Sequence, residues 1–305
     1  MDQRRRKQVR YKDPSSGESD PYADIRDIAD IPSDTSSWNR EHLVALRIRY
    51  RNANNADEII RPADLDDKYK TLLLDTWDKK KFTDPGDIRT LDKSVASLIM
   101  KIRYVLNLGM WAAKKEVRVD GFVMTLLNFL GFDQYPCTMY SQYTYKAKFK
   151  DNKKIASKVD FIVTNLDKYV LLVVEDKHQG NTGAFNDWSE SQLAGEIFGC
   201  AYHTVQMSEF YPNVVLSFPI TVRAIRIIGT LFTFYKTEVT KAYIEESYHK
   251  LPVRNQINVT RYPEMPEASE DTLASITGLD FCDPSDRLEI LRILKAIRDH
   301  ADGPF

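Results

Sequence analysis

The feature that most constrains this chain is a run of six apolar or aromatic residues that ends abruptly in charge. Tyr169-Val170-Leu171-Leu172-Val173-Val174 leads straight into Glu175-Asp176-Lys177-His178. A continuous β-branched and aliphatic run of this length reads as a strand covered on both faces near the middle of a sheet. Such a strand finishes in two acids and a lysine where its end opens into a cleft. Because side chains alternate along a strand, Glu175 and Lys177 share one face and Asp176 points to the other.

The preceding segment supplies a partner strand. Lys158 to Thr164 reads as a strand and Asn165-Leu166-Asp167-Lys168 as a turn. Pairing Thr164 with Tyr169 sets Asp160 opposite Val173, on the face of Glu175 and one position away. Two carboxylates and an ammonium group then converge. Like charges so placed repel, and burial raises the cost. A hard divalent cation, Mg²⁺ or Mn²⁺, relieves both penalties with carboxylate oxygens as ligands. Lys177 beside it would orient or deprotonate a water, or stabilise charge on a phosphate. This is equipment for hydrolysing a phosphodiester bond.

Further strands and helices frame that hairpin. An amphipathic helix is predicted over 112–131, with Val119, Phe122, Val123, Leu126, Leu127 and Leu130 at helical spacing and Gly131 as its C-terminal stop. Tyr143, Tyr145, Ala147 and Phe149 alternate with Thr144, Lys146, Lys148 and Lys150, which reads as a strand with one solvated face. A helix is expected over 188–205 and strands over 214–218, 222–228 and 231–235. A terminal helix capped by Ser285 carries Leu288, Leu291, Leu294 and Ile297. The order is helix, three strands, helix, strands, which implies an α/β sandwich around a mixed sheet.

Asp160, a hairpin and then Glu175-x-Lys177 on the next strand resemble the PD-(D/E)xK, or restriction-endonuclease-like, superfamily. That resemblance implies a restriction-endonuclease-like sandwich over residues 112–255, a central mixed β-sheet flanked by helices. It also implies an acid on the preceding helix, Glu116 or Asp120; Glu116 is preferred because it sits seven residues before Val123 on the sheet-facing side. Asp160, Glu175 and Glu116 would then hold the metal. In relatives similar to the RecB branch a glutamine on the following helix approaches the site, a role that falls here to Gln192. The Val222–Tyr235 hairpin, with Gly229 at its turn, is similar to nuclease domains of fungal and oomycete crinkler-type proteins. Val159 stands where many members have proline, Glu196 where the RecB pattern has tyrosine, and no crinkler-type leader motif is visible.

The implied activity is metal-dependent cleavage of DNA, with RNA as the alternative substrate. A second reading is a nuclease-fold module that binds nucleic acid or a host protein without cutting. A formal net charge of −1 over 305 residues means that any nucleic acid must be held by local basic surface, not bulk charge. Lys146, Lys148, Lys158 and His178 are the candidate contacts.

Outside 112–255, residues 1–38 read as a flexible basic and polar leader, 39–111 as a mostly helical region and 256–305 as a C-terminal extension. Cys137, Cys200 and Cys282 are odd in number and far apart, which suits reduced buried thiols. No apolar stretch suggests a signal peptide or a membrane span, so the protein is expected inside the cell. The Arg4-Arg5-Arg6-Lys7 run is consistent with a nuclear address.

Overall fold

A computed structural model describes residues 25–107, 116–165, 169–177, 190–210, 216–264 and 277–301. Its eight helices among those residues are α1 (Arg40–Ala45), α2 (Asp67–Lys70), α3 (Lys79–Thr83), α4 (Lys93–Leu106), α5 (Glu116–Phe129), α6 (Glu190–Phe210), α7 (Lys241–His249) and α8 (Pro284–His300). The strands are β1 (Ile48–Asn52), β2 (Cys137–Lys148), β3 (Lys154–Asn165), β4 (Tyr169–Lys177), β5 (Ile220–Ile228), β6 (Leu231–Val239), β7 (Ile257–Tyr262) and β8 (Leu279–Asp280).

All eight strands join one mixed sheet in the order β1-β7-β6-β5-β4-β3-β2, with β8 added to β6. β4 and β5 run parallel, as do β1 and β7, and the other pairs are antiparallel. β4 therefore lies inside the sheet, as its unbroken apolar run requires. Leu172 and Val174 face one layer, and Val173 the other, all fully buried. Each such side chain contributes about 1.5–3 kcal/mol.

Helices cover both faces. On one, Phe122, Leu126, Ile290 and Leu294 of α5 and α8 pack with Ile99 of α4 over Phe161, Val174, Ile225 and Phe234. On the other, Leu193, Ile197, Phe198 and Ala201 of α6 pack over Ile162, Val173, Ala224 and Tyr235. α6 approaches closely because two of its residues lack side chains. A Cβ at Gly195 would lie 2.7 Å from Thr35, and one at Gly199 would collide with the Ser157 hydroxyl. Gly131 stops α5 as expected, at φ 85°, with the Phe132 N–H donating to the Leu127 carbonyl at 3.0 Å.

Several boundaries differ from those read in the sequence. Residues 25–38, assigned to a leader, are packed: Ile28, Ile31 and Trp38 are buried. The Lys153 ammonium donates to the Ala29 and Ile31 carbonyls at 3.0 and 2.6 Å, and the Ala156 N–H donates to Ser33 at 2.8 Å. Polar composition hid three apolar anchors. Residues 39–111 are not a region apart, since β1 pairs with β7 and α4 enters the core. Nor do 256–305 form a mere extension, because β7, β8 and α8 complete the sheet and one helical layer. Asp283, not Ser285, caps α8, accepting from Ser285 and Asp286 N–H at 2.9 and 3.1 Å. Of the strand expected over 214–218, residues 216–218 are irregular and the rest lie outside the described residues. All three cysteines are buried thiols, and no helix among the described residues is long and apolar enough to cross a membrane.

Arg287 of α8 ties the 70s segment to the core. Fully buried, it donates to the carbonyls of Leu73, Leu74, Trp77 and Phe281 at 2.6–2.9 Å. Arg287→Met keeps the volume but strands those acceptors. It is expected to destabilise the fold by about 3–5 kcal/mol, read as a lower urea midpoint; an unchanged midpoint would contradict this role.

Candidate active site at the end of the fourth strand

The β3–β4 ladder is not in the register expected from sequence. Asn165, not Thr164, pairs with Tyr169, a bulge follows between Val163 and Thr164, and Ile162, not Asp160, lies opposite Val173. Pairing ends at Phe161 with Val174. Asp160 comes next, and its Oδ2 accepts the Asp176 N–H at 2.9 Å. The side chain thus continues the ladder where the main chain has left it.

Glu175 and Asp176 then part, as alternation dictates. Glu175 faces α6, where the Gln192 amide donates to its Oε1 at 2.6 Å and to Glu196 Oε1 at 2.9 Å. Asp176 faces α5, with the Asp120 carboxyl beside it. On the open side, the exposed Gln142 amide donates to Asp160 Oδ1 at 3.2 Å. Asp160 and Gln192 are partly exposed, whereas Glu175, Asp176 and Glu196 have no accessible surface.

Five acids therefore surround one strand end, and the electrostatics follow. Burial first, then the Asp160 and Asp120 charges, hold the Asp176 carboxyl well above the ordinary carboxylate range. Burial and the neighbouring Glu175 do the same to Glu196, against the lowering effect of the Gln192 amide. Neither oxygen of Asp176, nor Oε2 of Glu196, receives an N–H or O–H donor among the described residues. Hard oxygen atoms in this state fit a divalent cation better than they fit an apolar interior.

Sequence reasoning placed Asp160, Glu175 and Gln192 together, and the structure does gather them. Glu116 is the first residue of α5, but its side chain lies outside the described residues, as does that of Lys177, which ends β4. His178 lies wholly outside them. Asp120, the other helix acid weighed, lies beside Asp176 at the β4 end. Lys146, Lys148 and Lys158 are exposed on the β2–β3 hairpin, and none touches the acids. Among the described residues, no three His, Cys, Asp or Glu side chains by themselves form a cation cage.

Two groups escaped sequence reasoning. Glu196 was noted only as a departure from a tyrosine. Arg226 lies opposite Glu175 in the parallel β4–β5 register, fully buried on the α6 side, with its guanidinium over the Tyr235 ring and 3.9 Å from Glu190. Glu190, the first residue of α6, also accepts from Arg261 at 2.7 Å and from Tyr235 at 3.1 Å, while its carbonyl accepts from Tyr50 at 2.7 Å. This network moors the turn that carries Gln192. Its signal was a second arginine, after Arg223, inside the largely apolar Val222–Ile228 strand.

The raised Glu196 value makes a pH prediction for the metal-free protein. An acid whose folded value is raised stabilises the fold below its unfolded value, and that contribution is lost as pH rises toward the folded value. With EDTA present, Glu196→Gln should therefore leave the melting temperature unchanged near pH 4.5 and raise it at pH 7.5. An equal difference at both pH values would contradict the burial of a protonated acid.

No protein-family model matches the sequence, and none of the curated proteins matches it.

Proposed function

We propose that the chain is a metal-dependent nuclease of the restriction-endonuclease-like type, hydrolysing phosphodiester bonds of DNA, with RNA as the alternative substrate. The observation that carries this reading is the Asp176 N–H bond to Asp160, which draws a carboxylate from β3 to the end of the Glu175-x-Lys177 strand. An α/β fold with helices on both faces of a mixed sheet accords with it. So does the placement of an acid from the preceding helix and an amide from the following one around the same strand end.

Asp160 and Glu175 would hold Mg²⁺ or Mn²⁺, with Glu116 of the preceding helix completing the shell. Mg²⁺ keeps several waters and commonly takes one or two carboxylates plus phosphate oxygens, so a sparse protein cage suits it. The cation would supply Lewis acidity toward the phosphate and a water of lowered pKa. The chain's own residues do the rest. Gln192 orients the Glu175 carboxylate by holding Oε1, and Gln142 and the Asp176 N–H fix both oxygens of Asp160. Lys177 would take the water's proton or steady charge on the phosphate. Burial of Glu175 removes competing water and strengthens each of these interactions.

With Mg²⁺ or Mn²⁺, purified protein should cleave plasmid or oligonucleotide, and EDTA should stop it. Asp160→Asn, Glu175→Gln and Lys177→Ala should each lower the rate by about a hundredfold or more, with circular dichroism showing each variant folded. Cleavage undiminished in Asp160→Asn would overturn the assignment. Binding without cleavage under every cation would make the fold a non-catalytic module.

A further inference from the structure

The β2–β3 ribbon rolls over beside the acids. Gln142 has φ 54°, in the left-handed region, yet the register on either side is unbroken: Ser141 lies opposite Phe161, and Tyr143 opposite Val159. Residues two apart in a strand ordinarily share a face. Here Phe161 packs on the α5 side and Val159 on the α6 side. The roll brings together Tyr140 and Tyr143, whose spacing of three would otherwise separate them. Their ring centroids are 5.8 Å apart, and His203 of α6 stands 6.0 Å from Tyr143. Tyr140 is 38% exposed. The two rings flank Gln142, the residue bonded to Asp160.

The opposite side of the ribbon is basic. Lys146, Lys148, Lys154 and Lys158 share one exposed face, with Lys148 directly opposite Lys154 and Lys158 opposite Thr144. None of the four forms a salt bridge with a described residue. Like charges facing each other across a ladder destabilise it, so the arrangement costs the fold something and gains it no ion pair. A polyanion recovers that cost. Because β2 is the last strand of the sheet, the basic face and the tyrosine face meet along one edge, with Asp160 next to where they meet.

We propose that this edge binds a single-stranded polynucleotide, with Tyr140 and Tyr143 stacking on unpaired bases and the four lysines holding backbone phosphates. The inference deepens the nuclease reading and rests on it for the direction in which the strand is fed. Stacking on a side chain needs the π-face of a base, which a duplex keeps covered and a single strand offers. A chain with net charge −1 gains little from bulk attraction, so ring stacking would set the preference and the lysine face would set the salt dependence.

The test is fluorescence anisotropy of the full chain in EDTA, so that binding is read without cleavage, using labelled oligo-dT, oligo-rU and a duplex of equal length. Single strands, DNA or RNA, should bind about tenfold or more tighter than duplex. Tyr140→Ala should weaken single-strand binding by about tenfold, Tyr140→Phe should restore it, and neither should change duplex binding. Lys146→Gln with Lys158→Gln should flatten the salt slope. Equal affinity for duplex and single strands, or a Tyr140→Ala/Tyr143→Ala protein that binds single strands as well as the parent, overturns the proposal. Plasmid cleavage assayed in parallel separates the two ideas. Cleavage with no single-strand preference leaves the nuclease reading standing and removes this one; ring-dependent single-strand binding with no cleavage does the reverse.

Discussion

Taking a carboxylate out of water costs several kcal/mol unless something nearby compensates it, and the end of β4 holds Glu175, Asp176 and Glu196 with no accessible surface. The molecule meets part of that cost with the Gln192 amide, which bridges Glu175 and Glu196. Protonation meets another part, since burial and mutual repulsion hold Asp176 and Glu196 above the ordinary range. A cation would meet the rest. So many buried acids at one strand end are costly to keep, and the proposed use, which suits hard oxygen atoms, is metal binding.

Much of the fold can be understood as scaffolding for that strand end. β4 sits inside the sheet, so its last residues are fixed by neighbours on both sides until the β3 ladder stops at Phe161. α6 is pressed onto β3 by the absence of a side chain at Gly199 and onto the Thr35–Trp38 segment by its absence at Gly195. Its first turn is moored through Glu190 to Arg226, Arg261, Tyr235 and Tyr50. The position of Gln192 is thereby set by four strands at once, and side chains held this way keep their geometry with little reorganisation. Replacing Glu190 would touch the site without any contact to it.

What was legible in the sequence follows the period of the chain. The unbroken run from Val170 to Val174 marked a buried strand, and the acids at its end marked the site, because both signals are local. The register was not legible. A one-residue slip and the bulge at Val163–Thr164 depend on how β2 and β4 fit on either side of β3, and no residue within the turn announces them. That slip moved Asp160 one position beyond the end of the ladder, where its carboxylate accepts the Asp176 N–H. The α6 partners were half legible: Gln192 was found by likeness to a known pattern, while Glu196 looked like a mismatch until its carboxyl was seen against Glu175. Residues 25–38 were misread for a compositional reason, since serine, aspartate and proline surround Ile28, Ile31 and Trp38, and three buried side chains suffice to pin the segment.

The central claim is that the strand end is built to hold a doubly charged ion. Crystals of the full chain soaked in Mn²⁺ and measured for anomalous scattering test it most directly. The account predicts a peak bounded by the Asp160 and Glu175 carboxylates that vanishes in Glu175→Gln crystals. A well-ordered site with no peak there, or a peak that persists in that variant, would contradict it.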